Sequence, residues 1–350
     1  MIPVRSMRAA ILTELHRPLA IADVSLPERL DVGQVLVKLH ASGICGSQLG
    51  EIDGVKGPDP FLPHLLGHEG SGEVLAIGAG VTHVRVGERV VLHWRQGPGI
   101  ESRPPQYAWN GARLNAGWVT TLNEYAVVSE NRLTPIPADF GLGLAPLLGC
   151  AVTTGLGVVC NDARVQPGES LVVLGAGGVG SSVVMAAALV SAAPIVVVDR
   201  TETKLALARQ LGATHALLAE RFDLEARIRA IVGRAGADVV VDNTGVTTMI
   251  QLAVRLTRRE GRTVLVGVPQ EPAVAVPTLP LHYGQQLIGS HGGSSRPERD
   301  IHRCIALARA GRLPLEALIT HRCRLEDVND AIGCLRRGEI AGRCIVEFSD

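Results

Sequence analysis

The chain has 350 residues, enough for two domains of ordinary size, and its 46% hydrophobic, 3% aromatic composition with 40 glycines suits an α/β protein rich in tight turns. Lys plus Arg and Asp plus Glu both number 34, so no bulk charge draws it to nucleic acid or an anionic membrane, and the expected partner is a small molecule. No apolar run approaches the ~20 residues that span a bilayer, and the opening residues lack the apolar core of a secretory leader; a cytoplasmic protein is expected.

The seven cysteines (Cys45, Cys150, Cys160, Cys304, Cys323, Cys334, Cys344) are odd in number and irregularly spaced, which argues against a disulfide framework. Metal ligation or burial must explain them. Cys45, His68 and Cys150 are candidate ligands: two thiolates and one imidazole leave one tetrahedral position open, as in a catalytic zinc site. Spacing by itself favours ordinary buried cysteines and a loop histidine. The other five cysteines, in strand or helix patterns, read as core.

In chain order, residues 1 to 150 read as short β segments such as VGQVLVKLHASGIC and GERVVLHW, divided by Gly and Pro turns. From Pro167 the texture becomes β-α-β: a strand in ESLVVLG, an apolar helix, the buried strand PIVVVD, a helix in TETKLALARQLGA, a strand in ADVVVDNTG, a helix in TMIQLAVRLTR and a strand in GRTVLVGVPQ. That alternation predicts a doubly wound parallel sheet. Beyond residue 295 come a helix (PERDIHRCIALARAGRL), the segment LEDVNDAIGCLRRGE and a closing strand RCIVEF. The expected division is residues 1–151 with 295–350 as one domain and 152–294 as a cofactor domain inserted in it.

Gly175, Gly177 and Gly180 form G-x-G-x-x-G between a strand and a helix, with Gly178 and Val179 inside the turn. Asp199 ends the next strand nineteen residues on. The pattern fits a dinucleotide: a tight turn, close approach of backbone to pyrophosphate, close helix packing and an acid for the ribose hydroxyls. A carboxylate at Asp199 favours NAD, while Arg200 keeps NADP as the alternative. A purely structural glycine turn is the competing reading.

The segments GQVLVKLHASGICGS, LPHLLGHEGSGEVLAIGAGV, VRVGERVV, LLGCAVTTGLGVV, PGESLVVLGAGGVG, VVVDRTETKLALARQLGATH and LVGVP together resemble the zinc-containing medium-chain alcohol dehydrogenases, in order and over nearly the whole chain. The resemblance implies a GroES-like, mostly β catalytic domain with a Rossmann-type cofactor domain, and a homodimer or, alternatively, a homotetramer. It implies one catalytic zinc per subunit on Cys45, His68 and Cys150, with Glu69 behind the metal and Ser47 taking the proton of an alcohol substrate. It places Thr154 and Val179 against a nicotinamide ring, the backbone of Val266 and Val268 at its carboxamide, Lys204 beside Asp199 at the ribose, Arg343 at the pyrophosphate and Trp94 in the substrate pocket.

Departures from that family are equally specific. Between His93 and Trp118, where many relatives carry four closely spaced cysteines, this chain has none, so a structural zinc is not expected there. Gly46 stands where relatives often place a cation, and Gly50 where some place a proton-relaying histidine. Gln48 replaces an acid that orients the zinc histidine, and its amide oxygen is expected to accept the imidazole proton. The expected activity is reversible hydride transfer between an alcohol and NAD. The alternatives are a zinc-free alkene or quinone reductase of the same fold, or a non-catalytic dinucleotide-binding protein.

Overall fold

A computed structural model describes residues 3–219, 222–269 and 271–348. The chain divides into two compact units, one of Met1–Cys150, Arg296–Ala306 and Ile319–Asp350, the other of Ala151–Ser295 and Leu307–Leu318. The second unit thus also takes in residues 307–318, beyond the 152–294 of the sequence reading.

The first unit is built around β1 (Gln34–Ile44). Its side chains alternate between faces: Val35, Val37 and Leu39 enter one apolar core and Leu36 another, so both faces are covered. β1 pairs antiparallel with β2 (Glu69–Ile77), with Tyr125–Ser129 and with the closing strand Arg343–Glu347. β3 (Arg89–His93) pairs with β2, bringing His93 opposite Glu69. Directly after β1 the chain turns at Cys45 into the short helix α1 (Gly46–Ile52). A strand at Ile319–Arg324, which the sequence reading lacked, runs parallel to Arg343–Glu347.

The second unit opens with α2 (Ala151–Gly157) and holds a six-stranded, wholly parallel sheet. Its elements are β4 (Leu171–Leu174), α3 (Gly178–Leu189), β5 (Ile195–Asp199), α4 (Glu202–Gln210), β6 (His215–Leu218), α5 (Leu224–Val232), β7 (Ala237–Asp242), α6 (Thr247–Leu256), β8 (Thr257–Leu265) and β9 (Gln286–Gly289). The spatial order β6-β5-β4-β7-β8-β9 is that of a doubly wound dinucleotide fold. All four residues of β4 are buried, as a parallel strand covered on both faces requires.

The cysteine-free segment after β3 is fastened by side chains. Glu130, fully buried, accepts the backbone N–H groups of Ile100 at 2.8 Å, Thr82 at 2.9 Å and His83 at 3.0 Å. Arg132 reaches the Trp94 carbonyl at 2.5 Å and the Glu101 carboxylate at 2.6 Å. Ser102 and Ser129 bond reciprocally, with Ser102 N–H donating to Ser129 Oγ at 2.8 Å. Burial alone would raise the Glu130 carboxyl, but the three amide donors and the nearby His83 outweigh it and hold the group below the usual carboxylate range.

A depressed folded-state pKa stabilises above the unfolded value, near pH 4.3, and that stabilisation disappears as pH falls through the folded value. Glu130→Gln keeps the shape but turns an N–H₂ group toward amide donors, and should cost about 3 kcal/mol at pH 7. Urea unfolding of both proteins from pH 7 to pH 3 checks this: the gap between them should narrow steadily below about pH 4. A gap independent of pH would remove Glu130 from this role.

Candidate metal and cofactor sites

Cys45 caps the N-terminus of α1, His68 immediately precedes β2, and Cys150 follows the buried turn Pro146–Gly149. Their ligand atoms all lie within 4.8 Å of one another, and no other group of three or more His, Cys, Asp or Glu among the described residues is so placed. A tetrahedral zinc with Zn–S near 2.3 Å and Zn–N near 2.1 Å needs ligand atoms roughly 3.5 Å apart, so a small contraction of the trio makes the site. Two sulfurs and a nitrogen suit zinc and leave the fourth position open.

The hydrogen bond between the two thiols divides their protons. It holds Cys45 well below the ordinary thiol value, helped by the Arg343 charge and His68 against the effect of burial. The same bond, with burial, raises Cys150, while Trp94 and Arg95 act in the opposite direction.

Gln48 is turned the opposite way from the sequence expectation. Its Oε1 accepts the Cys45 backbone N–H at 2.8 Å, so its Nε2 faces His68 Nδ1 at 2.5 Å. The backbone donor at the start of α1 takes the oxygen and leaves the amide nitrogen for the imidazole.

Glu69 lies beneath the trio, completely buried and ion-paired with Arg343, itself 3% exposed. Arg343, expected at a pyrophosphate, is engaged with this carboxylate. Glu69 Oε2 and Arg343 Nε have no hydrogen-bond partner. Ser47 is exposed on the first turn of α1, and Trp94 is half-buried with its side chain hydrogen-bonded to Cys150. Of the cysteines expected in the core, Cys304 and Cys344 are buried, whereas Cys160, Cys323 and Cys334 are half-buried; Cys323 and Cys344 have sulfurs 3.7 Å apart.

In the second unit the glycine turn fits a dinucleotide. Gly175 has φ +91°, and a Cβ on Gly180 would fall 1.9 Å from the Gly175 carbonyl oxygen, so both positions need glycine. A Cβ on Gly177 would meet nothing within 4 Å, which leaves the approach to the N-terminus of α3 open for a phosphate. Asp199 accepts the Ala176 N–H at 2.8 Å and the Thr201 N–H at 3.0 Å, which fixes its carboxylate beside the turn. Asn243, unnoticed in the sequence, carries two buried amide atoms without partners, its Nδ2 3.4 Å from the position a Gly180 Cβ would take.

The remaining expected cofactor residues all lie in this unit. Thr154 is buried on α2, Val179 is half-buried in the turn, and Lys204 is half-buried on the first turn of α4 beyond exposed Arg200. Val266 and Val268 follow β8, with the Val266 N–H on the Asp242 carbonyl at 2.8 Å and Val268 56% exposed.

Residues 31–138 match the alcohol dehydrogenase GroES-like domain and residues 178–309 the zinc-binding dehydrogenase domain. The geraniol dehydrogenase of Castellaniella defragrans is 33% identical over 95% of this chain and 96% of its own. An S-(hydroxymethyl)glutathione dehydrogenase of Synechocystis is 30% identical over 95% and 97%. The crystal structure of benzyl alcohol dehydrogenase from Acinetobacter calcoaceticus superposes with a TM-score of 0.89 at 28% identity, covering 99% of this chain and 100% of that one. No described helix is long and apolar enough to cross a membrane. The chain belongs to the zinc-dependent medium-chain alcohol dehydrogenase family, oxidoreductases that transfer hydride between an alcohol and NAD with zinc and NAD as cofactors.

Proposed function

We propose that this chain binds a single zinc per subunit through Cys45, His68 and Cys150, and with NAD interconverts a primary, secondary, polyol or sugar-derived alcohol and its carbonyl. The observation that carries this reading is the convergence of two sulfurs and one imidazole within 4.8 Å, in a set that leaves one position for substrate. Relatives named for geraniol and for benzyl alcohol support an alcohol as the substrate class.

When bound, the zinc supplies Lewis acidity toward the substrate oxygen and NAD supplies the hydride acceptor. The protein's own work is to hold and move protons. The Glu69–Arg343 pair fixes the floor beneath the thiols. Ser47, two residues after Cys45 and exposed, is the group that accepts the hydroxyl proton. Gly46 has open space where a side chain would stand, and Gly50 only Val55 nearby, so solvent or a cofactor hydroxyl completes the transfer.

Elemental analysis should find one zinc per chain, and Cys150→Ala should lose the zinc and the alcohol-dependent reduction of NAD while keeping a cooperative unfolding transition. Two zinc ions per chain, or full activity without metal, would overturn the assignment.

Ser47→Ala should slow alcohol oxidation by about 10²–10⁴-fold while zinc content and NADH binding, read by fluorescence, stay unchanged. Near wild-type turnover would mean that another group takes the proton.

The Asp199 carboxylate should favour NAD over NADP by about two orders of magnitude in kcat/KM, on the order of 3 kcal/mol, because a 2′-phosphate would lie against it. Equal efficiencies would instead assign the phosphate to Arg200.

A further inference from the structure

The strand Ile319–Arg324 lies at the edge of its sheet, parallel to the closing strand Arg343–Glu347. Cys344 is opposite His321, and Cys323 lies two residues beyond His321, so both cysteines project from one face of the sheet. Their sulfurs stand 3.7 Å apart and share a hydrogen bond. The strands are pinned around them: the Gly342 N–H donates to Thr320 Oγ1 at 3.1 Å, and Arg322 pairs with Glu347. The sulfurs therefore need only approach each other, between strands already held in register.

The two thiols differ in setting. Cys344 is buried in the apolar core, whereas Cys323 is half-buried on the edge strand and opens the pair to solvent. The hydrogen bond to Cys323 lowers the Cys344 thiol below its ordinary value, with the Arg343 charge assisting against burial. The same bond, with burial, raises Cys323. Cys344 is thus the sulfur that loses its proton more readily, and Cys323 the one placed to react second. Neither belongs to the metal trio.

We propose that Cys323 and Cys344 are a redox-active dithiol, which hydrogen peroxide closes to a reversible disulfide. Deprotonated Cys344 attacks one peroxide oxygen, the O–O bond breaks, and the departing hydroxide takes up a proton and leaves as water. Cys344 is then a sulfenic acid. The Cys323 sulfur attacks it, the S–O bond breaks as the S–S bond forms, and the hydroxyl leaves with the Cys323 proton as a second water. The two thiols give up two electrons and the peroxide accepts them. The disulfide fastens the strand carrying Arg343, the partner of Glu69, to the edge strand.

The test treats reduced, zinc-loaded protein with about a tenfold excess of hydrogen peroxide, then alkylates, unfolds and digests it. Trypsin cuts after Arg322, Arg324, Arg336, Arg337 and Arg343, so Cys323, Cys334 and Cys344 fall on separate peptides. A Cys323–Cys344 linked peptide should appear and should disappear on treatment with dithiothreitol. Titratable thiols, counted in chelator and denaturant, should fall from seven to five in the wild type. In Cys323→Ser, a change on the half-buried edge strand, neither the linked peptide nor the loss of two thiols should occur; Cys344→Ala should behave alike. Absence of the linked peptide from the oxidised wild type would overturn the proposal, as would a Cys323–Cys334 peptide in its place. The same loss of two thiols in Cys323→Ser would also overturn it, and would leave the pair as packing.

Discussion

The buried ion pair between Glu69 and Arg343 is the constraint on which the metal site depends. Glu69 follows His68 directly, and Arg343 begins the strand whose Cys344 is in register with Ile44, the residue before Cys45. The third ligand is tied to the same carboxylate by close packing: a Cβ on Gly149, beside Cys150, would come within 3.1 Å of the Glu69 Cβ. Gly43 is equally constrained, since a Cβ there would fall 2.5 Å from Glu69 Oε1. All three ligand-bearing segments thus converge on one side chain. A charge in such surroundings is tolerable only while its counter-charge stays in place, so the pair fixes its neighbours as well as itself.

That dependence explains why the site has its polarity. The Arg343 charge acts on Cys45 and that of Arg95 on Cys150, so each sulfur has its own cation. Arg343 is matched by Glu69, and the Arg95 guanidinium lies over the Trp94 indole. Cation and carboxylate come from distant parts of the chain, and only the pairing of β1 with β2 and with the final strand brings them together.

Local patterns were legible in the sequence where the physics is local. The glycine turn before α3 follows from backbone sterics at Gly175 and Gly180, and the apolar runs of β4, β5 and β7 from burial on both faces. Residue type made the trio a candidate, and family resemblance decided for it, because nothing in the spacing of Cys45, His68 and Cys150 forces them together. β6 and α5 escaped notice, as did the strand Ile319–Arg324, whose exposed, charged residues lack an apolar alternation. The orientation of Gln48 was read wrongly because it is decided by a backbone N–H on α1, which residue type does not reveal. Glu130 and Arg132 were unremarkable charges until the fold set Glu130 against three backbone N–H groups and Arg132 against a carbonyl and a carboxylate.

The Glu130 fastening also bears on how the protein is assembled. A lobe closed by four thiolates needs a metal ion to be delivered, and comes apart when its sulfurs are oxidised. A lobe closed by one carboxylate on three backbone amides needs nothing beyond the chain itself. The fastening of the segment that carries Trp94 and Arg95 therefore draws on a carboxylate, a guanidinium and backbone groups, and on no thiolate or metal ion.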